Sequence, residues 1–261
     1  MTTSRTFRIV RAVLLVAFAA YFALPLLAML DFSTRAKGED SGRTWQYWGN
    51  LVTDEMLRES IIASVLLALL TVVTMVVLLV PTMVWVRLRV PKVNRLVEFL
   101  CLLPLTIPAL VIVVGIANVY SWVSYLLGDS PLTLTFAYVV LVLPYAYRSL
   151  DASLGAIDLA TLSEATRSLG GTWFTVIVRV VLPNIVPGVL SAAFISIALV
   201  LGEFTFASLL NFNTMPVVLA QIYKYDASTS VAGSLASILV ISLVLLVLSY
   251  LGRDRRKGRT S

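Results

Sequence analysis

Residues 148–183 read RSLDASLGAIDLATLSEATRSLGGTWFTVIVRVVLP and lie between two apolar segments, about 132–147 and 184–210. Leu150, Leu154, Ile157, Leu159, Leu162, Ala165 and Leu169 recur at helical spacings with polar residues between them. Thr161 and Glu164 have the spacing of a capping box, and Gly170-Gly171 supplies a helix stop. A second apolar stretch, Trp173 to Val181, runs on to Pro183. The pattern predicts a short helix, a glycine corner and a second short helix leading into the next apolar segment. Connections of this length are usually functional or disordered, and the periodicity argues against disorder. Two uses stay open on physical grounds. A partner could dock, since small residues at the corner let another surface approach the backbone. Alternatively, the helices could simply pack along the membrane or against the other segments.

Outward from this stretch, the chain of 261 residues is 59% hydrophobic and 13% charged, against roughly 25% charged in an ordinary soluble domain. Its mean hydropathy is +0.93, which places the chain in a bilayer. A spanning helix needs about 20 mostly apolar residues. Six segments qualify, at about 12–30, 60–86, 96–120, 132–147, 184–210 and 231–251. The expected fold is an all-α integral membrane protein with six transmembrane helices. Residues 1–11 form its N-terminus, 12–251 its membrane domain including the 148–183 connection, and 252–261 a basic tail. The first segment follows Arg5, Arg8 and Arg11, but its apolar run of about 19 residues exceeds a signal core and no clear cleavage site follows. A retained span is expected.

Of the 20 lysines and arginines, 15 fall in one alternating set of connections: around Arg5–Arg11, Arg87–Arg95, Arg148–Arg179 and the tail from Arg253. Arg35, Lys37, Arg43, Arg58 and Lys224 make up the other set. Basic residues accumulate on the cytoplasmic side, so both termini are expected there. The net charge of +6 is therefore a topology signal and gives no reason to propose nucleic acid as a partner. In residues 31–59, Trp45, Tyr47 and Trp48 stand among acidic residues before the second span. They read as an anchor at the headgroup level, with a ligand-binding aromatic box as the other reading.

Several chemistries are excluded. There is no histidine, which removes Ser-His-Asp, Cys-His and HExxH systems. Cys101 stands alone in an apolar run, so no internal disulfide or thiolate cluster forms. None of the 13 glycines lies in a GxxxxGK[ST] pattern, so any ATP must be bound by another polypeptide. No catalytic residue, metal ligand or cofactor of this chain's own is expected.

Glu164-Ala165-Thr166, Gly170 and Val180-Val181-Leu182-Pro183 resemble the EAA loop of bacterial ABC importer permeases. That pattern reads E-A-A, three residues, G, nine residues, I, one residue, L-P. The spacing matches throughout, with Thr166 for the third-position alanine and Val180 for isoleucine. The specific part of the resemblance covers 145–183, while the span layout extends it over about 45–250. It implies a type I ABC importer (MetI-like) permease fold in the bacterial inner membrane, with cytoplasmic coupling helices. It also implies partners: two ATP-binding subunits holding ATP-Mg, a second permease chain, homologous but different, and an extracytoplasmic solute-binding protein. By the same resemblance, Glu164, Ala165, Gly170, Leu182 and Pro183 carry the coupling to the ATPase.

Sugar-type permeases commonly carry Asp before the motif glycine, whereas this chain has Arg167-Ser168-Leu169-Gly170. That stretch, with Leu143 to Asp151 before it, is more similar to permeases for polyamines, ferric iron, thiamine or aminoalkylphosphonates. Glu203, in Leu201-Gly202-Glu203-Phe204, is an acid within the fifth segment. Such a group should face the bundle or a wet cavity. It either lines the pathway of a cationic solute or, about 30 Å along a straight helix from Pro183, sits near the outer interface in a structural role. Glu98 beside Arg95 reads as an interfacial charge, and Pro104, Pro108 and Gly115 as kinks. The alternative to an importer subunit is a self-contained secondary carrier or channel, which predicts charges paired within several spans or an inverted repeat. No clear repeat is visible.

Overall fold

The computed structural model describes residues 5–36 and 42–257, with side chains over 7–36, 42–243 and 246. Parts of the expected N-terminus (1–4), of the connection between the first two spans (37–41) and of the basic tail (258–261) lie outside the described residues. In chain order the helices are α1 (Arg5–Thr34), α2 (Gln46–Thr53), α3 (Glu55–Arg89), α4 (Asn94–Leu102), α5 (Ala109–Leu127), α6 (Thr135–Leu154) and α7 (Leu159–Ser168). They are followed by α8 (Trp173–Thr175), α9 (Leu182–Asn184), α10 (Val186–Leu201), α11 (Thr205–Leu209), α12 (Met215–Ile222) and α13 (Ala227–Lys257). A π-helical stretch, Val176–Val181, joins α8 to α9. Apart from an isolated bridge between Arg35 and Arg43, the regular structure among the described residues is all helical.

Four stretches are long and apolar enough to cross a bilayer: Phe7–Thr34, Glu55–Arg89, Ala109–Leu127 and Pro131–Leu154. A fifth is a bent pair, Trp173–Asn184 and Val186–Leu201, meeting at 79°. The sixth expected segment falls within α13, whose described apolar part is Ala227–Leu243.

Three expected segments differ in shape. The third, 96–120, is not one helix. Pro104 opens a 3-10 turn, and Ile107 is extended at φ −108°, ψ 123° before Pro108. A residue preceding proline avoids the helical region, so the spanning helix restarts at Ala109 and runs to Leu127. The fourth continues through Pro144 to Leu154, taking seven residues from the connection that the sequence suggests. The fifth stops at Leu201 and resumes as α11 after Gly202–Phe204.

The contacts divide the chain into two units, Met1–Arg58 with Val218–Ser242 and Glu59–Val217 with Leu243–Ser261. In the first, Asp31 pairs with Arg35 and, at 2.9 Å, with Arg43. Trp48 donates to Ser33 Oγ at 3.2 Å, and Asn50 donates to Thr229 Oγ1 at 3.1 Å, tying α2 to the start of α13. Most apolar side chains of α1 are exposed, among them Phe7, Leu14, Phe18 and Leu24.

In the second unit, α6 carries the densest burial. Tyr138, Ala146, Tyr147, Leu150 and Leu154 are each at most 1% exposed. This helix packs chiefly on α10, where Gly188 and Ser191 meet Ser149 and Ser153, and Ala192 and Ser196 on α10 are fully buried. Small side chains let helix backbones approach closely in a bilayer, where dispersion and hydrogen bonds drive association. The Oγ atoms of Ser149 and Ser191 lie 3.4 Å apart. A Cβ at Gly188 would come within 2.5 Å of Ser153 Cβ and 2.8 Å of the Ser149 carbonyl oxygen. Gly188→Val is therefore expected to destabilise the detergent-solubilised chain by about 1–3 kcal/mol. Gly115→Ala, with nothing within 4 Å of a new Cβ, is expected to leave the thermal midpoint unchanged or slightly higher.

Candidate functional site

The 155–185 connection folds as the helical hairpin that its spacing suggests, with one change at its start. Helix α7 is capped by Asp158. The carboxylate accepts from the Thr161 backbone N–H at 3.2 Å and from the Thr161 hydroxyl at 2.7 Å. Thr161 thus serves the cap as a donor instead of forming a capping box with Glu164, because the helix begins three residues earlier. The Thr161 hydroxyl, and then its N–H, hold the Asp158 carboxyl below the usual carboxylate range.

At the other end, Gly170 N–H donates to the Arg167 carbonyl at 3.0 Å and Gly171 N–H to the Thr166 carbonyl at 2.9 Å. This pair of bonds is a Schellman motif, which needs a left-handed residue after the helix. Gly170 supplies it at φ +82°. Gly171 is required by space, since a Cβ there would lie 2.8 Å from the Thr166 carbonyl oxygen. Thr172 then caps the second arm by accepting from Thr175 N–H at 3.3 Å. That arm passes through the π-helical stretch to Pro183 and the 79° bend.

The inward face of the hairpin is apolar: Leu154 and Val176 are fully buried and Leu159 is nearly so. Glu164, Ala165, Gly170 and Pro183 are exposed, and Leu182 is half-buried against the core. Two large apolar side chains flank the corner in the open, Leu169 at 89% and Phe174 at 72% exposure. The helical spacing of Leu169 suggests an inward residue, but it lies just beyond the last turn of α7, where the chain turns away.

A charged layer lies beside the hairpin. Arg87 of α3 donates to the Asp151 carboxylate of α6 at 2.5 Å and to its carbonyl at 3.0 Å. Arg148 of α6 pairs with Glu98 of α4 at 3.3 Å, so Glu98 has a specific partner 50 residues away. Trp173 takes two guanidinium groups, Arg89 at 5.1 Å and Arg167 at 4.8 Å from its ring centre.

Glu203 lies in the break between α10 and α11, half-buried. Its carboxylate accepts from Phe206 N–H at 3.0 and 3.1 Å and from the buried Tyr138 hydroxyl at 2.9 Å. Tyr138 and Phe206 meet edge to face at 5.9 Å. The straight-helix distance from Pro183 does not apply, because the 79° bend and the break both intervene. Glu203 and the hairpin residues are thus separate constellations on either end of α10. Among the described residues, no cluster of His, Cys, Asp or Glu could hold a metal.

The Asp158 cap is expected to depend on pH. A carboxyl depressed in the folded state stabilises above its ordinary range and loses that contribution as pH falls through its folded value. Asp158→Ala should speed amide exchange at Thr161 and Leu162 at neutral pH, with the difference from the parent chain vanishing in acid.

A family model described as binding-protein-dependent transport system inner membrane component matches residues 61–257. Among curated relatives, the spermidine/putrescine transport system permease protein PotC of Escherichia coli (strain K12) is 23% identical over 262 residues, 97% of each chain. PotC of Haemophilus influenzae is 25% identical over 240 residues, 89% of this chain and 91% of the relative. The molybdenum transport system permease protein ModB of Mycobacterium tuberculosis is 28% identical over 249 residues, 88% of this chain and 89% of the relative. An all-helical membrane chain matched by this model over most of its length belongs to the binding-protein-dependent transport system inner membrane components, the permease subunits of ABC importers.

Proposed function

We propose that this chain forms half of the translocation pathway of an ATP-driven importer for a small polar solute, a polyamine-type cation. It crosses the bacterial inner membrane six times, with α13 as the sixth span and both termini in the cytoplasm, as the distribution of basic residues favours. The hairpin around Gly170 is its coupling element: Glu164, Ala165, Gly170, Leu182 and Pro183 seat it in a separate ATP-binding subunit. Two such subunits bind ATP-Mg, because this sequence lacks a GxxxxGK[ST] loop of its own. A second, homologous permease completes the pathway, and a solute-binding protein delivers the cargo outside. The chain itself is non-catalytic.

The observation that carries the coupling role is the rigid Gly170-Gly171 corner, which presents Leu169 and Phe174 uncovered on either side. Large apolar side chains held outward at a fixed corner favour a partner surface. The relatives named for spermidine and putrescine support the cargo class. Glu203, a carboxylate within a broken span, suits a cationic solute. Its hydrogen bonds to Phe206 and Tyr138 fix its position and leave its charge uncompensated by any ion pair among the described residues.

The reading is tested by purifying the tagged chain from its native host and assaying co-purified ATPase and ATP-driven uptake of labelled spermidine in proteoliposomes. Gly170→Asn is expected to keep partial uptake, since Asn tolerates the left-handed region, and Gly170→Val to lose at least tenfold. Absence of an ATP-binding subunit from the native complex would defeat the assignment. Glu203→Gln keeps an acceptor for Phe206 N–H while removing the charge. Labelled putrescine uptake should then fall at least tenfold with little change in thermal midpoint. Unchanged uptake would take Glu203 out of the pathway.

A further inference from the structure

Trp173 is the first residue of α8, directly after the glycine corner and its Thr172 cap. Its ring meets two helices of the second unit, α7 and α3. Arg167 belongs to the last turn of α7, three residues after Glu164, and its guanidinium is 4.8 Å from the indole centre. Arg89 is the last residue of α3, and its guanidinium is 5.1 Å away. Both distances lie within the range where a ring's negative face attracts a cation. Two like charges from separate helices are thus held at one ring. The indole itself is half-buried against the core.

Beside the buried apolar face of the hairpin, this contact adds a side-chain connection to the end of α3. The covalent one runs through the π-helical stretch and across the 79° bend into α10. The route through Trp173 reaches α3, a single 35-residue helix of about 50 Å. Two residues before Arg89, Arg87 grips Asp151 of α6, and Arg148 on α6 holds Glu98 of α4. Ion pairs thus link the end of α3 to α6, and α6 to α4.

We propose that Trp173 is a positioning residue that transfers motion of α7 to the end of α3, so that α3 and α6 move together with the hairpin. This rests on the coupling reading above, which concerns what grips the hairpin; here the subject is where the motion goes.

Hydrogen–deuterium exchange of the native complex, purified through this chain and held in nanodiscs, tests it. The two states compared are Mg-ATP with vanadate, and ADP. In the parent complex, exchange should differ between the states both in the hairpin, 155–185, and at the end of α3, 83–93. Trp173→Ala should keep the hairpin difference and lose at least half of that at 83–93, while Trp173→Phe, which retains a ring face, should preserve both. Arg89→Gln, at an exposed position, should reproduce the loss and serves if Trp173→Ala does not assemble. A full response at 83–93 in either variant overturns the proposal. So does a parent complex in which the hairpin responds and 83–93 does not. A parent hairpin that does not respond to nucleotide defeats the coupling reading itself.

Discussion

The contact between α6 and α10 leaves no room for a side chain at Gly188, and both candidate constellations hang from this pair of helices. Tyr138, Arg148 and Asp151 all stand on α6. Helix α10 is entered from the hairpin at one end and left at Glu203 at the other. In a bilayer, apolar surface gives no preference for one helix over lipid, so association depends on close packing and hydrogen bonds. A stripe of glycine, alanine and serine on α10 meets that requirement, with the Ser149–Ser191 pair beside it.

The second constraint is that backbone groups freed inside a membrane must be satisfied by protein or by a wet cavity. The breaks in this chain follow it. At Gly202–Phe204 the Glu203 side chain takes the Phe206 N–H that begins α11. Near Ile185 the Asn184 amide donates to the Val180 carbonyl at 2.8 Å. Where α5 meets the 3-10 turn before α6, the buried Tyr120 hydroxyl donates to the Thr133 carbonyl at 2.8 Å. Each of these three interruptions is accompanied by a polar side chain that takes up a backbone group. A span can be bent in this way without exposing unsatisfied backbone to hydrocarbon.

The local features were legible in the sequence and the distant ones were not. Gly170-Gly171 could be read as a corner because the left-handed turn after a helix selects for glycine over a few residues. Prolines were less readable. Pro25, Pro81 and Pro144 lie inside continuous helices, while Pro108 follows a break. The residue type removes one N–H in every case, and the surrounding packing decides whether the helix continues. The cap of α7 could equally have been Thr161 or Asp158, both good capping residues, and the choice depends on where Leu159 is buried. The pairs Arg87–Asp151 and Arg148–Glu98 join residues 64 and 50 positions apart. Nothing in either neighbourhood specifies its partner. Seen in sequence, these arginines only report topology. In the fold they also clamp helix ends.

The wide turn at Val176–Val181 has one more consequence. Bonds that close over five residues instead of four mean that this stretch stores an extra residue relative to a regular α-helix. It behaves as slack in the chain. Tightening it to α geometry would lengthen the stretch, moving Pro183 away from the corner and turning it about the helix axis. Between its glycine corner and its bent span the chain therefore holds a turn whose length and phase are set by backbone hydrogen bonding alone.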